Sequence, residues 1–402
     1  MKNGYLTLPL VISATLSLPN LAAAESALSR GAFDGLPQGR FAFAGYGDTT
    51  YIDPDGENSA FMGKVAPIIL VQLNEQVHIE AEWEFSVDDE GETETELEYA
   101  DVHYFASDSV TLTAGKILLP FGQFGPNLHP SWINKLPSLP VIYGGHDGNG
   151  IATPLMPILS DYGAAAQKTF AFGDGSRLFF DVYVVNGPKF DEHGEEEDED
   201  TDHLDDLVAL DVGGGGEDDH EDEGDDDDHD DVSAPELDFE ATSSDNNDDK
   251  AIGGRIGYSW GPGFEVGASY YSGAYDEEGD FDFMSYGVDV NYTSTYFTVR
   301  GEYIETETEG LDDDGHKETF DRDGWYLQGS WFLKQTGIDA LAPVEVVARR
   351  SEVNQLDGSE RWAIGLNYWI APSAVIKLSV DDTELDTGED QIRYIAQISY
   401  GF

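Results

Sequence analysis

The residues best suited to chemistry fall into two groups. The first lies in 191–250, where His193, His203, His220 and His229 are interleaved with runs of Asp and Glu. Imidazole suits zinc or copper, and carboxylate suits calcium or magnesium. The spacing is irregular, so the tract predicts weak gathering of divalent cations and no ordered metal site. A plainer reading is a solvated acidic run, kept disordered by self-repulsion and by its lack of aromatics. The second group is the bases, which are scarce: Lys and Arg together number 20 in 402 residues. Arg255, Arg300, Arg349, Arg361, Lys377 and Arg393 each fall in a stretch where polar and apolar residues alternate. Glu80, Glu82 and Glu84 do the same in QVHIEAEWEF, residues 76–85. Motifs of covalent chemistry are missing: there is no Gly-x-Ser-x-Gly, no His-Glu-x-x-His and no phosphate-binding glycine loop. With no cysteine there is no thiol nucleophile and no disulfide. Neither an enzyme nor a cofactor is expected.

The elements that carry these residues read as strands. Successive strand side chains point to opposite faces, so QVHIEAEWEF presents one apolar face and one bearing three carboxylates. About sixteen such segments can be marked, from 39–49 to 391–402, with two of the later ones near 296–307 and 324–334. The 45 glycines, 20 tyrosines and 21 phenylalanines suit glycine-punctuated, aromatic strands. Links alternate in length: DTTYIDPDGENSA precedes NE, and VDDEGETET precedes SDS. Acid is concentrated in the longer set. QTGIDALAP is longer than its rank predicts, and the last links on the long side are short.

A soluble sandwich has no reason to sort links by parity, whereas an outer-membrane barrel has short turns on one side and long loops on the other. A charged face repeated around a closed sheet cannot all be packed core, because each unpaired buried charge costs several kcal/mol. It can line a water-filled lumen while the apolar face meets lipid. Residues 1–24 have the order of a secretory signal peptide: Lys2, an apolar run and then Ala22-Ala23-Ala24. The net charge of −61 repels nucleic acid and favours cations. The expected class is all-β: a transmembrane antiparallel β-barrel of about sixteen strands over 39–402, after a short segment at 25–38, with 188–250 as an acidic extracellular loop. The runner-up is an exported soluble sheet protein whose acidic loop binds calcium.

The terminal YIAQISYGF resembles the closing strand of bacterial outer-membrane barrels, whose assembly machinery recognises a terminal aromatic; Phe402 matches it. AGKILLPFGQF, at 114–124, resembles a segment of specific porins, most of all the phosphate-selective and siderophore-porin groups. The resemblance implies an outer-membrane location among lipid and lipopolysaccharide, a homotrimer, and a third loop folded into the barrel. That loop, 118–159, offers His129, Trp132, Asn134, Lys135 and Asp147 to a constriction, with Lys116 at its root. Packing over the rim or at a subunit contact is the alternative for it. A phosphate-selective constriction should be rich in Lys and Arg, and this loop has only Lys135, so no ligand residues are carried over. The implied function is a porin passing small hydrophilic solutes or ions by passive diffusion. The alternative is a dedicated uptake channel for a metal or metal–siderophore complex, with the acidic loop gathering cations. The lumenal bases and acids are read either as a selectivity region or as ion pairs that stiffen the barrel.

Overall fold

In a computed structural model the described residues are 40–56, 58–88, 91–144, 154–190, 235, 237–239, 246–261, 263–312, 315–355, 358–386, 388 and 390–402. The segments 1–24 and 25–38 lie outside them, as do Asp147, His193, His203, His220, His229 and most of the acidic loop.

Sixteen strands close into one antiparallel barrel. In chain order they are β1 (Arg40–Pro54), β2 (Ala60–Gln72), β3 (Val77–Val87), β4 (Thr93–Ser107), β5 (Val110–Leu118), β6 (Ser160–Ala171), β7 (Arg177–Val185) and β8 (Ala251–Trp260). They continue as β9 (Phe264–Ala274), β10 (Asp282–Thr293), β11 (Phe297–Leu311), β12 (Lys317–Phe332), β13 (Val344–Asn354), β14 (Ser359–Ala371), β15 (Ala374–Leu385) and β16 (Gln391–Gly401). Each strand pairs with its sequence neighbours, and β1 pairs with β16 from Tyr46↔Gly401 to Pro54↔Arg393, so no backbone edge is left open. The sequence ends two strands differently: β11 runs on to Leu311 and β12 already begins at Lys317. The polar stretch between them looked like loop, but fifteen cross-strand pairs carry the hairpin beyond the membrane band.

The outward face is apolar. Val182, Ile252, Val288, Ile364 and Leu378 are all more than half exposed, as lipid-facing residues should be once lipid is left out of the surface. Aromatics bracket this band. On β9 to β12, β14 and β16 they stand six residues apart: Phe264/Tyr270, Tyr286/Tyr292, Phe297/Tyr303, Trp325/Trp331, Trp362/Tyr368 and Tyr394/Tyr400. Six residues of extended chain span about 20 Å. Tilted by roughly 40°, that sets the ring positions about 15 Å apart along the membrane normal, within an outer-membrane apolar band of about 25 Å. Arg350 points outward at the upper girdle, its guanidinium 5.6 Å from the Trp325 ring and 5.4 Å from the Trp362 ring, and it is held by Glu352 and Glu360.

The inward face is polar and, on one side, filled. The described parts of the β5–β6 link, residues 119–144 and 154–159, fold into the lumen and bring Leu119, Phe121, Phe124, Val141, Ile142, Tyr143, Leu155 and Met156 into contact with Tyr183, Tyr271, Phe283, Ile304, Tyr326 and Val353 from the wall. This is the molecule's main apolar core, and it lies inside the barrel. Near the rim, Lys189–Phe190 pairs with Leu237–Asp238, and Phe239 packs on Phe283 with ring centres 5.1 Å apart.

The candidate channel constriction

The inward loop is seated strand by strand from β9 to β16. Polar anchors come from odd and even strands alike, with Arg322, Asn367 and Ser399 on the even strands donating to the Pro154, Lys135 and Ser131 carbonyls. Gly122 N–H donates to Ser269 Oγ on β9 at 3.0 Å. Glu302 on β11 accepts from the backbone N–H groups of Gln123 (2.9 Å) and Phe124 (2.7 Å) and from the Tyr143 hydroxyl (2.5 Å). On β13, Arg349 donates to the Ser138 and Leu139 carbonyls at 3.0 and 2.8 Å, and Glu345 takes Lys135 Nζ at 2.5 Å. Lys377 on β15 donates to the Ser131 carbonyl. The even strands also present glycines beneath loop side chains. Phe121 sits over Gly287, Ile142 over Gly324, Leu136 over Gly365 and Trp132 over Gly401.

Each residue marked from sequence can now be placed. Arg255, Arg300, Arg349, Arg361, Lys377 and Arg393 all point inward and are buried. Arg255 is bidentate to Asp289 at 2.9 and 2.6 Å, reaches Glu265 at 3.1 Å and lies over Phe179. With its amide oxygen turned toward it, Gln328 accepts from Arg300 Nε at 2.9 Å and Nη2 at 2.8 Å. Arg361 Nε donates to Thr383 Oγ1 at 2.8 Å, and Arg393 lies 3.9 Å from Asp381. Arg349 and Lys377 are thus held by loop carbonyls, and Arg255, Arg300, Arg361 and Arg393 by wall partners.

The loop candidates separate into anchors. Asn134 Nδ2 donates to the Ser138 carbonyl at 3.1 Å, and His129 Nδ1 contacts the Gly125 carbonyl. Lys135 lies 5.2 Å from the Phe332 ring and 5.9 Å from the Trp369 ring, while Trp369 Nε1 donates to Glu345 at 3.0 Å. Burial draws the Lys135 ammonium below its ordinary pKa, and the Glu345 carboxylate opposes that shift. Burial likewise raises the Tyr143 phenol, with Glu302 adding to the effect. Lys116 is buried and pairs with Glu96 at 3.4 Å.

On β1 to β5 the wall is acidic. Glu82 and Glu84 are buried, Glu80 keeps 23% of its side chain exposed and Glu96 keeps 28%. Sequence reading missed Asp48, Glu96, Glu98 and Asp101, which share this wall. A bulge explains the last three: Glu82 pairs with Tyr99 but Trp83 pairs with Leu97, so Glu98 is an extra residue. It shifts the period, and Glu96 on one side and Asp101 on the other both face inward. The balancing bases are Lys64 on Glu84 at 3.2 Å, Lys116, and His103 on Asp101 at 2.9 Å. Between this wall and the loop lies a cavity lined by Asp48, Lys64, Glu94, Ser131, Asn134 and Gln397, among others.

A closed sixteen-stranded barrel with an apolar belt, a polar interior and a folded-in third loop defines an outer-membrane channel. A family model described as Gram-negative porin matches residues 209–388. Over that stretch the chain is similar to Gram-negative porins, and its barrel has the architecture of an outer-membrane channel. Its fold is similar to the Salmonella typhi OmpF structure (12% identity, TM-score 0.52, covering 90% of this chain and 97% of that one). It is similar to an anion-selective porin from Comamonas acidovorans (11%, 0.51, 91% and 100%) and to OmpT of Vibrio cholerae in its trimer form (10%, 0.51, 90% and 99%). Among curated proteins no match was found.

Proposed function

We propose that the passage runs between the third loop and the acidic wall of β1 to β5, and that the porin therefore prefers cations. The observation that carries this reading is the seating of the loop: its anchors and glycine seats occupy β9 to β16, and the inward arginines are buried. Asp48, Glu80, Glu82, Glu84, Glu96, Glu98 and Asp101 remain on the other side against Lys64, Lys116 and His103. An excess of one sign along a low-dielectric wall raises the local concentration of the opposite ion. The measurement is the reversal potential of reconstituted channels across a potassium chloride gradient. The sign should be that of a cation-preferring pore, and Glu80→Gln with Glu84→Gln and Glu96→Gln should bring it toward zero. An anion sign in the native channel would overturn the reading. The working unit is a homotrimer in this proposal, the state named for the similar OmpT structure. Migration as a trimer in unheated gels, with collapse on heating, is the expected result.

A further inference from the structure

We propose that the cavity beside β1 is a cation site, sized for a monovalent ion such as ammonium or potassium or for a primary ammonium head. This rests on the passage reading above and adds a fixed stopping place within it. Asp48 is 8% exposed, Ser131 7% and Asn134 2%. Asp48 Oδ2, Ser131 Oγ and Asn134 Oδ1 are buried atoms without a hydrogen-bond partner in the structure, and all three residues line the one cavity. Buried acceptors of this kind are costly unless something donates to them or neutralises them.

A relay fixes their orientation. Lys377 Nζ donates to Gln397 Oε1 at 2.8 Å, Gln397 Nε2 to Thr50 Oγ1 at 2.9 Å, and the Thr50 hydroxyl to Asp48 Oδ1 at 3.0 Å. The Thr50 proton is thereby committed, and Asp48 keeps its second oxygen for the cavity. The nearby bases make their hydrogen bonds elsewhere, though the Lys377 charge is felt at Asp48. Lys64, directly across the ladder from Asp48, goes to Glu84 at 3.2 Å, and Lys377 goes to Ser131 O and Gln397. A carboxylate, an amide and a hydroxyl side chain lining one cavity, each with a buried unpartnered acceptor, suit a hard monovalent cation or an N–H donor.

Size narrows the ligand. The space is about 40 Å³. A single water needs about 10–15 Å³ on this measure, so roughly three water-sized bodies fit. A potassium or ammonium ion with a water or two fits, as does a primary ammonium head; a tetraalkylammonium ion does not.

The test is single-channel conductance of the full-length protein in bilayers, as a function of potassium chloride and of ammonium chloride concentration. Native channels should saturate. D48N, which keeps the acceptor for Thr50, should lower the low-salt conductance at least threefold and make the dependence linear; S131A should shift saturation in the same direction by less. Ethylammonium chloride should reduce native potassium conductance and tetraethylammonium chloride should not, which separates an amine head from simple ionic strength. Linear native conductance, or unaltered saturation in a D48N protein that retains heat-shifted gel mobility, would overturn the site. The reversal potential reports separately: D48N should keep the cation sign, because the rest of the acidic wall is intact. A native anion sign would remove the passage reading instead.

Discussion

Glu345 has no exposed side-chain surface, and Lys135 with the Trp369 indole is what keeps its charge compensated. Removing one member of a buried pair strands the other, at about 3–5 kcal/mol. Lys135→Met alone should therefore lower the temperature at which the unheated gel band converts to the unfolded form. Adding Glu345→Gln should recover most of the loss, since the stranded charge goes with it. Outside the membrane band, Asp276 lies at the start of the β9–β10 link. Partial burial pushes its pKa up, but the backbone N–H groups of Phe281 and Asp280 outweigh this and hold it below the usual 3.8. A depressed carboxylate pKa contributes stability that is present above the unfolded value and lost as pH falls through the folded one. Protection of the Phe281 amide against hydrogen exchange should hold from neutrality to about pH 4 and fall below that. Asp276→Ala should lose about fivefold of it at pH 7, a screened charge-assisted bond being worth about 1 kcal/mol. At this scale alternation alone told which bases point inward. It could not tell that Arg349 ends on the carbonyls of Ser138 and Leu139, because that contact spans more than two hundred residues of chain.

The strands were legible because period-two patterning is local, and β8 falls at the residues its alternation marks, 251–260. The bulge in β4 was not legible, since an extra residue looks like any other until its partner strand is known. It gives two deletions of equal size opposite outcomes. Without Glu98, Leu97 and Tyr99 become adjacent and still face Trp83 and Glu82, so the ladder is regular. Without Leu97, Glu98 takes the place opposite Trp83 and a carboxylate meets lipid, at up to about 2 kcal/mol even before packing is lost. The Glu98 deletion should give a folded, heat-modifiable barrel in normal yield, and the Leu97 deletion should give little. The third loop was legible as an apolar, proline- and glycine-rich insertion, but its seat was not. A β-carbon at Gly365 would lie 2.6 Å from Leu136 Cδ2, so the glycine is a socket defined only by the folded pair. Gly365→Val should push the 131–139 segment toward β1 and lower conductance without unfolding the barrel; unchanged conductance would mean that the loop has slack there.

Closure of the whole barrel depends on a seam between strands more than three hundred residues apart. Outward Gly45 and Gly47 on β1 lie beneath Phe402 and Tyr400 of the C-terminal end, where added β-carbons would come within 2.7 Å of Phe402 Cζ and 3.0 Å of the Tyr400 hydroxyl. The rings replace the missing side chains across the last joint, which gives Phe402 a packing role. Charge acts at the same scale. The net −61 is unevenly placed, with 191–234 among its densest stretches. Described chain returns at Pro235 and at Leu237–Phe239, against the rim of β10 and β11, so the acidic stretch is joined to the barrel at that rim. A tethered polyanion concentrates cations over about one Debye length, near 30 Å at 0.01 M salt and near 3 Å at 1 M. The wall carboxylates inside the passage act at contact and are screened far less. Shortening 191–234 to a few neutral residues should therefore weaken cation preference at 0.01 M and leave it nearly unchanged at 1 M, while neutralising Glu80, Glu84 and Glu96 should weaken it at both. If the shortened channel loses its preference equally at high salt, selectivity is set at the mouth, and the acidic wall is only structural.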